Sequence, residues 1–307
     1  KNFLKNIPDD FKTYKNSVYL PYATSLRMSH LGYQNASQSN IRVSLNSLEE
    51  YTNDLFLLTT TKSSKFENLF EDDSLDLPQI NENQLQIEDE YYSMIRPKSS
   101  VNNDIRPISK LKKFGVDYLE LRSLDIDPWS PIGIEDSAVF FLEAFVLYCA
   151  FSPSERFVND DYQVIKNNNH LVSTKGRMPN ILLQKDEKQI ELKEWAYNIL
   201  QEMDPFFDVL LVSQEHRMQY YKSIEDSENT KSGKFLSSVL DSTESLDNFA
   251  MTISEKNKND FLSLDMEGNE LWKRIEEETI LSVNKQKLLE NDTEVDFNQF
   301  LKEYFNS

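Results

Sequence analysis

Val116-Asp117-Tyr118-Leu119-Glu120-Leu121-Arg122 alternates with a period of two. Tyr118, Glu120 and Arg122 share one face, and Leu119 and Leu121 the other. This is the pattern of a strand with one side on a core and the other toward water or a cleft. Upstream, Gln84-Leu85-Gln86-Ile87-Glu88-Asp89-Glu90-Tyr91-Tyr92 alternates in the same way and predicts a second strand, with Gln84, Gln86, Glu88, Glu90 and Tyr92 on one face. Between the two, Ser93–Lys113 carries Arg96, Lys98, Arg106, Lys110, Lys112 and Lys113 against Asp104. This basic connection reads either as a solvated loop or as an anion site beside carboxylate-bearing strands. After Asp125-Ile126-Asp127-Pro128-Trp129-Ser130-Pro131 the chain turns mostly helical. A sheet-containing part over 1–135 and a mainly helical part over 136–307 are expected to form one continuous domain.

The flanking segments fill in the elements. Ile41–Leu45 alternates and predicts a strand. Ser47-Leu48-Glu49-Glu50 is a capping box that starts a helix with Leu48, Tyr51 and Leu55 inward. Glu71, Asp72, Asp73 and Asp76 read as surface charge on a solvated loop ending near Pro78. Ser137–Phe151 is the most apolar stretch, too short for a bilayer, which takes about 20 residues. It predicts a buried helix capped by Asp136 or Ser137, ending before Pro153, with Cys149 in the core. Leu192, Trp195, Ala196, Ile199 and Met203 share a helical face, and Pro205 is expected to stop that helix. Residues 223–233 and 241–260 read as polar loops. Phe297, Phe300, Leu301, Tyr304 and Phe305 follow the spacing of a docked terminal helix.

Composition narrows the function. Thirty-three basic and 52 acidic residues give a charge of −19, against nucleic-acid binding or adsorption to an anionic membrane. The 19 Phe, 14 Tyr and 3 Trp are enough to build a core. Six glycines, all widely spaced, exclude a P-loop and a dinucleotide fingerprint, both of which need clustered glycines. A nucleotide would have to be held by cationic side chains and carboxylate-bound metal ions. Three scattered histidines with one cysteine do not compose a zinc site of the usual spacing. A single cysteine excludes an intrachain disulfide and fits a cytoplasmic setting. The first residues lack an initiating Met and an apolar signal core, and read as the middle of something longer.

Glu120 and Arg122 form the sharpest local constellation. A carboxylate can hold Mg²⁺ while a neighbouring guanidinium grips the phosphate that the metal bridges; equally, the two can pair with each other. Asp125 and Asp127 read as turn formers before Pro128. Arg27, Tyr33, Asn35, Gln38, Ser39 and Asn40 lie in a polar, turn-rich stretch that suits a small-molecule pocket or a surface loop.

Tyr19–Asn40, YLPYATSLRMSHLGYQNASQSN, resembles a block of the glutamate–cysteine ligase family, in its bacterial stand-alone form. So do Leu85–Lys98, LQIEDEYYSMIRPK, and Gly115–Gly133, GVDYLELRSLDIDPWSPIG. Asn169–Pro179, with Lys175-Gly176-Arg177, and the terminal Asn291–Phe305 match more loosely. The resemblance covers nearly the whole chain and the C-terminal, larger part of the family's sequence. The family's N-terminal portion, which carries several magnesium-holding glutamates, lies ahead of the first block. At Leu240–Lys258 the family usually has a glycine-rich turn, and this chain has no glycine.

The resemblance implies an α+β fold: part of an antiparallel sheet with a bare cleft face, followed by a mostly helical half. This is the glutamine-synthetase-like carboxylate–amine ligase fold, incomplete here. It implies ATP-dependent ligation of L-glutamate to L-cysteine through γ-glutamyl phosphate, with Mg²⁺ or Mn²⁺, in a cytoplasmic monomer. By the same resemblance Glu120 is a metal ligand and Arg122 grips phosphate. Arg27 engages substrate or the transferring phosphate, and Tyr33 and Tyr92 line the cysteine pocket. From their place on the basic connection beside Tyr92, Arg96 and Lys98 read as phosphate contacts, or as structural partners of Glu88 or Glu90. A non-catalytic interaction subunit and a related ligase with another amine acceptor remain alternatives.

Overall fold

The computed structural model describes residues 9–32, 41–66, 80–101, 105–266, 268–291 and 296–306. In chain order the elements are β1 (Lys12–Tyr14), β2 (Ser17–Tyr19), α1 (Leu48–Thr60), β3 (Ile95–Lys98), α2 (Pro107–Phe114), β4 (Tyr118–Leu121), α3 (Asp136–Phe151) and α4 (Asn159–Lys175). There follow β5 (Leu182–Lys185), β6 (Lys188–Glu191), α5 (Leu192–Val209), α6 (Gln214–Glu225), α7 (Lys231–Asp241), α8 (Leu246–Leu262), α9 (Glu270–Asn291) and α10 (Phe297–Asn306). The strands form three two-stranded antiparallel sheets, β1–β2, β3–β4 and β5–β6, so the class is α+β. Among the described residues no helix is long and apolar enough to cross a membrane. The chain packs as two units: Lys1–Ile41 with Ser123–Glu255, and Arg42–Arg122 with Lys256–Ser307.

The first unit is built on α3, α5 and α6. Ala144, Leu200, Met203, Phe207 and Val212 are its buried centre, with Phe141, Phe145 and Tyr220 against them. Pro205 does not stop α5, which runs on to Val209. An internal proline costs about 3 kcal/mol. Fully burying Met203 and Phe207 returns about 1.5–3 kcal/mol each, which is enough to carry the helix through. Ser152 caps α3 just before Pro153, as the sequence predicts, but the N-cap is Glu135. The helix is also less buried than its composition suggests. It is apolar all round and packs by one side, leaving Val139, Val146, Phe151 and Cys149 exposed, so Cys149 is not a core residue. Neither polar stretch is simply loop: 223–233 holds the end of α6, a 3₁₀ turn at Ser227–Asn229 and the start of α7, and 241–260 is helical apart from the short link between α7 and α8. The Thr230 hydroxyl caps α7 by accepting from Gly233 N (3.1 Å), and Ser245 accepts from Asn248 N (3.3 Å) at the start of α8. No residue of α8 is buried, so caps and local pairs such as Lys256–Asp260 (2.6 Å) hold a polar helix there.

The second unit packs α1 and α2 beside the β3–β4 hairpin. Ser47 caps α1 by accepting from Glu50 N (3.1 Å), and Tyr51 and Leu55 point inward as the spacing predicts. Ile41–Leu45 is not a strand. The segment Gln84–Tyr92 is not one either. Glu90 accepts from Gln86 N (2.6 Å), the Gln86 side chain accepts from Ile80 N (2.6 Å), and Glu88–Glu90 closes a 3₁₀ turn. The partner of β4 is instead Ile95–Lys98, inside the basic connection, where Arg96 lies opposite Glu120 and Lys98 opposite Tyr118. Pro97 conceals this strand from a propensity reading. Arg122 N donates to the Met94 carbonyl (2.8 Å), so alternate pairing leaves Pro97 at a position that needs no ladder bond. The rest of that connection is α2, which opens on Pro107 and closes at Gly115 with φ 82°.

A buried ion pair ties this unit together. Arg106 Nε donates to Glu88 Oε1 at 2.8 Å, with 8% and 2% of the two side chains exposed. Arg106 also reaches Thr59 Oγ1 at 3.3 Å on α1. Helix α10 covers the pair: the Arg106 guanidinium lies 5.3 Å from the Phe305 ring, and the Tyr304 hydroxyl 3.5 Å from Glu88 Oε2. The terminal helix thus docks through Tyr304 and Phe305, while Phe297 and Phe300 stay exposed. Glu71, Asp72, Asp73 and Asp76 lie outside the described residues.

Arg106→Met should destabilise the protein by about 3–5 kcal/mol in urea titrations, because it strands the Glu88 carboxylate. The double variant Arg106→Met, Glu88→Gln should recover part of that loss. Burial pushes the Tyr220 and Tyr304 hydroxyls from the ordinary 10 up to about 12. Stability from their neutral forms is complete below pH 10 and lost as pH rises from 10 to about 12, to be read in an alkaline unfolding curve.

Candidate functional site

Antiparallel pairing decides which side chains meet. Residues directly opposite point to the same face, so Arg96, Lys98, Tyr118, Glu120 and the following Arg122 form one surface of the β3–β4 hairpin. Glu120 accepts a two-pronged contact from Arg122, Nε to Oε1 at 2.9 Å and Nη2 to Oε2 at 3.2 Å. Lys98 Nζ lies 3.8 Å from Glu120 Oε2 and 3.2 Å from Asp89 Oδ1. Asp89 Oδ1 also accepts from Arg96 Nη1 at 3.2 Å. Arg96 further donates to the carbonyls of Asp89 (2.8 Å) and Tyr91, with 5% of its side chain exposed. The structural partner of Arg96 and Lys98 is therefore Asp89, not Glu88 or Glu90: Glu88 is committed to Arg106, and Glu90 folds back on Gln86.

The electrostatics follow from this list. The hydrogen bond from Arg122, then the charges of Arg122, Lys98 and Arg96, hold the Glu120 carboxyl below its ordinary range. Burial first, then Arg122, pulls the Arg96 guanidinium below its usual value. Three cations thus face two carboxylates. In a chain of −19 this face is a local positive excess. Among the described residues no cluster of three or more His, Cys, Asp or Glu side chains is placed to hold a metal ion.

Arg27 belongs to the other unit, on the 3₁₀ turn Leu26–Met28 capped by Ser25. Its Nε donates to Asp125 Oδ1 at 2.6 Å and its Nη2 to the Leu124 carbonyl at 2.7 Å. Asp125 and Asp127 are turn residues, as read, but each also holds a cation. Asp127 Oδ1 accepts from Trp129 N (3.0 Å), and Lys231 Nζ sits 2.6 Å from Asp127 Oδ2. Arg177 had only a loose motif to mark it, yet it organises the approach to Arg27. It is buried, and it donates to the carbonyls of Pro21 and Ala23 and to Glu228 Oε1 (2.7 Å). Gly176 permits this closeness, since a Cβ there would lie 2.7 Å from Thr24 Cγ2. Thr24 N and Ser25 N both donate to the Ser173 carbonyl.

The structure thus brings Glu120, Arg122, Arg96 and Lys98 together. It places Tyr92 half-buried between the 3₁₀ turn and β3. Tyr33, Asn35, Gln38, Ser39 and Asn40 lie outside the described residues.

Comparison with known proteins agrees with these blocks. The family model described as Glutamate-cysteine ligase matches residues 1–172. A glutamate–cysteine ligase of Shewanella pealeana is 32% identical over 294 residues, covering 94% of this chain and 56% of that protein. One from Pseudomonas fluorescens is 34% identical over 296 residues, covering 94% and 55%. The chain therefore spans about half the length of the curated relatives it matches. A crystal structure of Francisella tularensis glutamate–cysteine ligase in complex with AMP superposes with a TM-score of 0.87 at 27% identity, covering 98% of this chain and 60% of that one. A bifunctional glutathione synthetase from Pasteurella multocida shares the fold at TM-score 0.57 and 18% identity, covering 78% and 27%.

Replacing Arg122 with Gln should return the Glu120 carboxyl toward its ordinary range, as read by carboxyl carbon-13 titration. In the wild type the pair's contribution to stability is present above the ordinary carboxylate value and is lost as pH falls through the lowered one. An unchanged Glu120 titration in the variant would show that the pair does not persist in solution.

Proposed function

The chain belongs to the glutamate–cysteine ligase family, and on that premise we propose that it carries the phosphate-gripping part of a γ-glutamylcysteine-forming site. The glutamate side-chain carboxylate attacks the γ-phosphorus of ATP, releasing ADP and giving γ-glutamyl phosphate. The cysteine amine then attacks the acyl carbon, phosphate leaves, and the amine loses a proton. Both steps gather negative charge on oxygens, and cationic groups fixed in advance stabilise that charge. The observation that supports this is the cation excess on the β3–β4 face, three basic side chains against Asp89 and Glu120.

In this reading Arg122 grips the transferring phosphoryl group, and Arg96 and Lys98 bind the rest of the polyphosphate. Arg27, held by Asp125, engages the substrate or the transferring phosphate. Tyr33 and Tyr92 contact cysteine. Glu120 would hold Mg²⁺, or Mn²⁺. One carboxylate fits the usual magnesium mode, in which phosphate oxygens and waters fill most positions. The bound ion supplies neutralisation of phosphate charge. For it to bind, Arg122 must release Glu120, and a phosphate is the natural acceptor for the freed guanidinium. The reading extends to the glutamine-synthetase-like carboxylate–amine ligase fold, to residues 1–135 and 136–307 as parts of one domain, and to a cytoplasmic monomer.

The test is phosphate release from ATP by the protein that carries these residues, with Mg²⁺, glutamate and cysteine each omitted in turn. Release should need both amino acids; release when another amine replaces cysteine would point to a different acceptor, and release with neither amine present would mean loss of the acyl phosphate to water. Glu120→Gln should lower turnover about 10²-fold and raise the Mg²⁺ requirement, with the circular dichroism unchanged. Wild-type turnover with the same magnesium dependence would remove Glu120 from the metal site. Tyr33→Phe should raise the KM for cysteine; a rise confined to ATP would place that residue elsewhere.

A further inference from the structure

A pocket of about 190 Å³ opens beside the ionic face of β3–β4, walled by α1 and α2. Leu55, Pro97, Ile108 and Leu111 make its walls apolar. Its uncommitted polar groups are donors. Tyr51 is 5% exposed, and among the described residues its hydroxyl has no hydrogen-bond partner. Tyr51 lines the pocket, where its hydroxyl can donate to a bound acceptor. Lys110 has no carboxylate within ion-pair reach among the described residues, and the buried Arg96 Nε has no acceptor there. The two carboxylates at the pocket are already engaged, Glu88 by Arg106 and Asp89 by Arg96 and Lys98. Arg96, Lys98 and Lys110 therefore exceed Asp89 by two charges.

We propose that this pocket is a phosphate subsite in which Lys110 and the Tyr51 hydroxyl act beside Arg96 and Lys98. An excess of two positive charges matches a phosphate dianion better than a single carboxylate, and several converging donors match its oxygens. Size agrees. A volume of about 190 Å³ leaves room for several waters, and so for a phosphate group. This deepens the nucleotide reading by adding residues of α1 and α2 that no motif singled out. A group seated here would be the part of the polyphosphate away from Arg122.

The measurement is isothermal titration of the 307-residue chain with pyrophosphate at low salt, without Mg²⁺ or amino acids. Binding is expected. Lys110→Gln should weaken it about tenfold, and Tyr51→Phe, which keeps the ring in place, by about threefold. Lys113→Gln, on the same helix with its ammonium over the Phe114 ring, should leave it unchanged. Circular dichroism melts confirm that each variant is folded. Absent binding, equal affinity in Lys110→Gln, an equal loss in Lys113→Gln, or tighter binding of citrate than of pyrophosphate would each overturn the proposal. No turnover is involved. An inactive protein that still binds pyrophosphate overturns only the ligase reading, and an active one that does not bind it overturns only this pocket.

Discussion

The Glu88–Arg106 pair is the constraint on which the second unit depends. Two charges this deeply buried must stay together, and each comes from a segment with little regular structure of its own. Glu88 begins the 3₁₀ turn and Arg106 immediately precedes α2. Closing the pair at 2.8 Å therefore pins both segments. Its next neighbour in the chain is Asp89, whose carboxylate holds Arg96 and Lys98. The buried pair thus sets the position of the turn, and the turn sets the basic side chains on the hairpin. Such a pair contributes more to where things sit than to how stable they are.

The hairpin face illustrates how a protein of strongly negative charge can present a cationic surface. Asp89 and Glu120 are shared between basic side chains rather than matched to them one by one. Arg96 is nearly buried and spends two of its contacts on backbone carbonyls, which orient it without neutralising it. The remaining positive charge is not balanced within this face. Salt screens such a patch where it is open to solvent, as at Lys98 and Arg122, and least at Arg96, which is nearly buried.

Much of this was legible in the residues. The period-two run at Val116–Arg122 contains β4, Ser47 caps α1, and Ser137–Phe151 lies within α3. The strand alternation brought Glu120 and Arg122 to attention and the basic connection Arg96 and Lys98, and the hairpin places all four on one face. What was not legible has physical reasons. The alternation at Gln84–Tyr92 is undone by side chains that bond back to their own backbone, and β3 was hidden because its proline sits where no ladder bond is required. Helix α8 has no apolar stripe to announce it, only caps. Arg177 acts through carbonyls more than 150 residues away, and no local pattern can register that. Tyr51 read only as an inward residue of a helix and Lys110 only as one of six bases in the connection; their meeting at one pocket emerges only when its walls are assembled.

The bonds of Arg177 also say something about the order in which the molecule comes together. The turn that bears Arg27 leans on a guanidinium 154 positions downstream of Ala23. Its geometry cannot be completed by its own neighbours, however early that stretch leaves the ribosome. At about 5–20 residues per second, roughly 8–30 s of synthesis separates the two partners. Contacts of such long sequence separation are slow to close, since chain entropy must be lost before they return anything. The strand face of Glu120 and Arg96, whose partners lie within a few dozen residues, has no such wait. The two sets of candidate residues are therefore expected to mature on different clocks, with Arg27 the later.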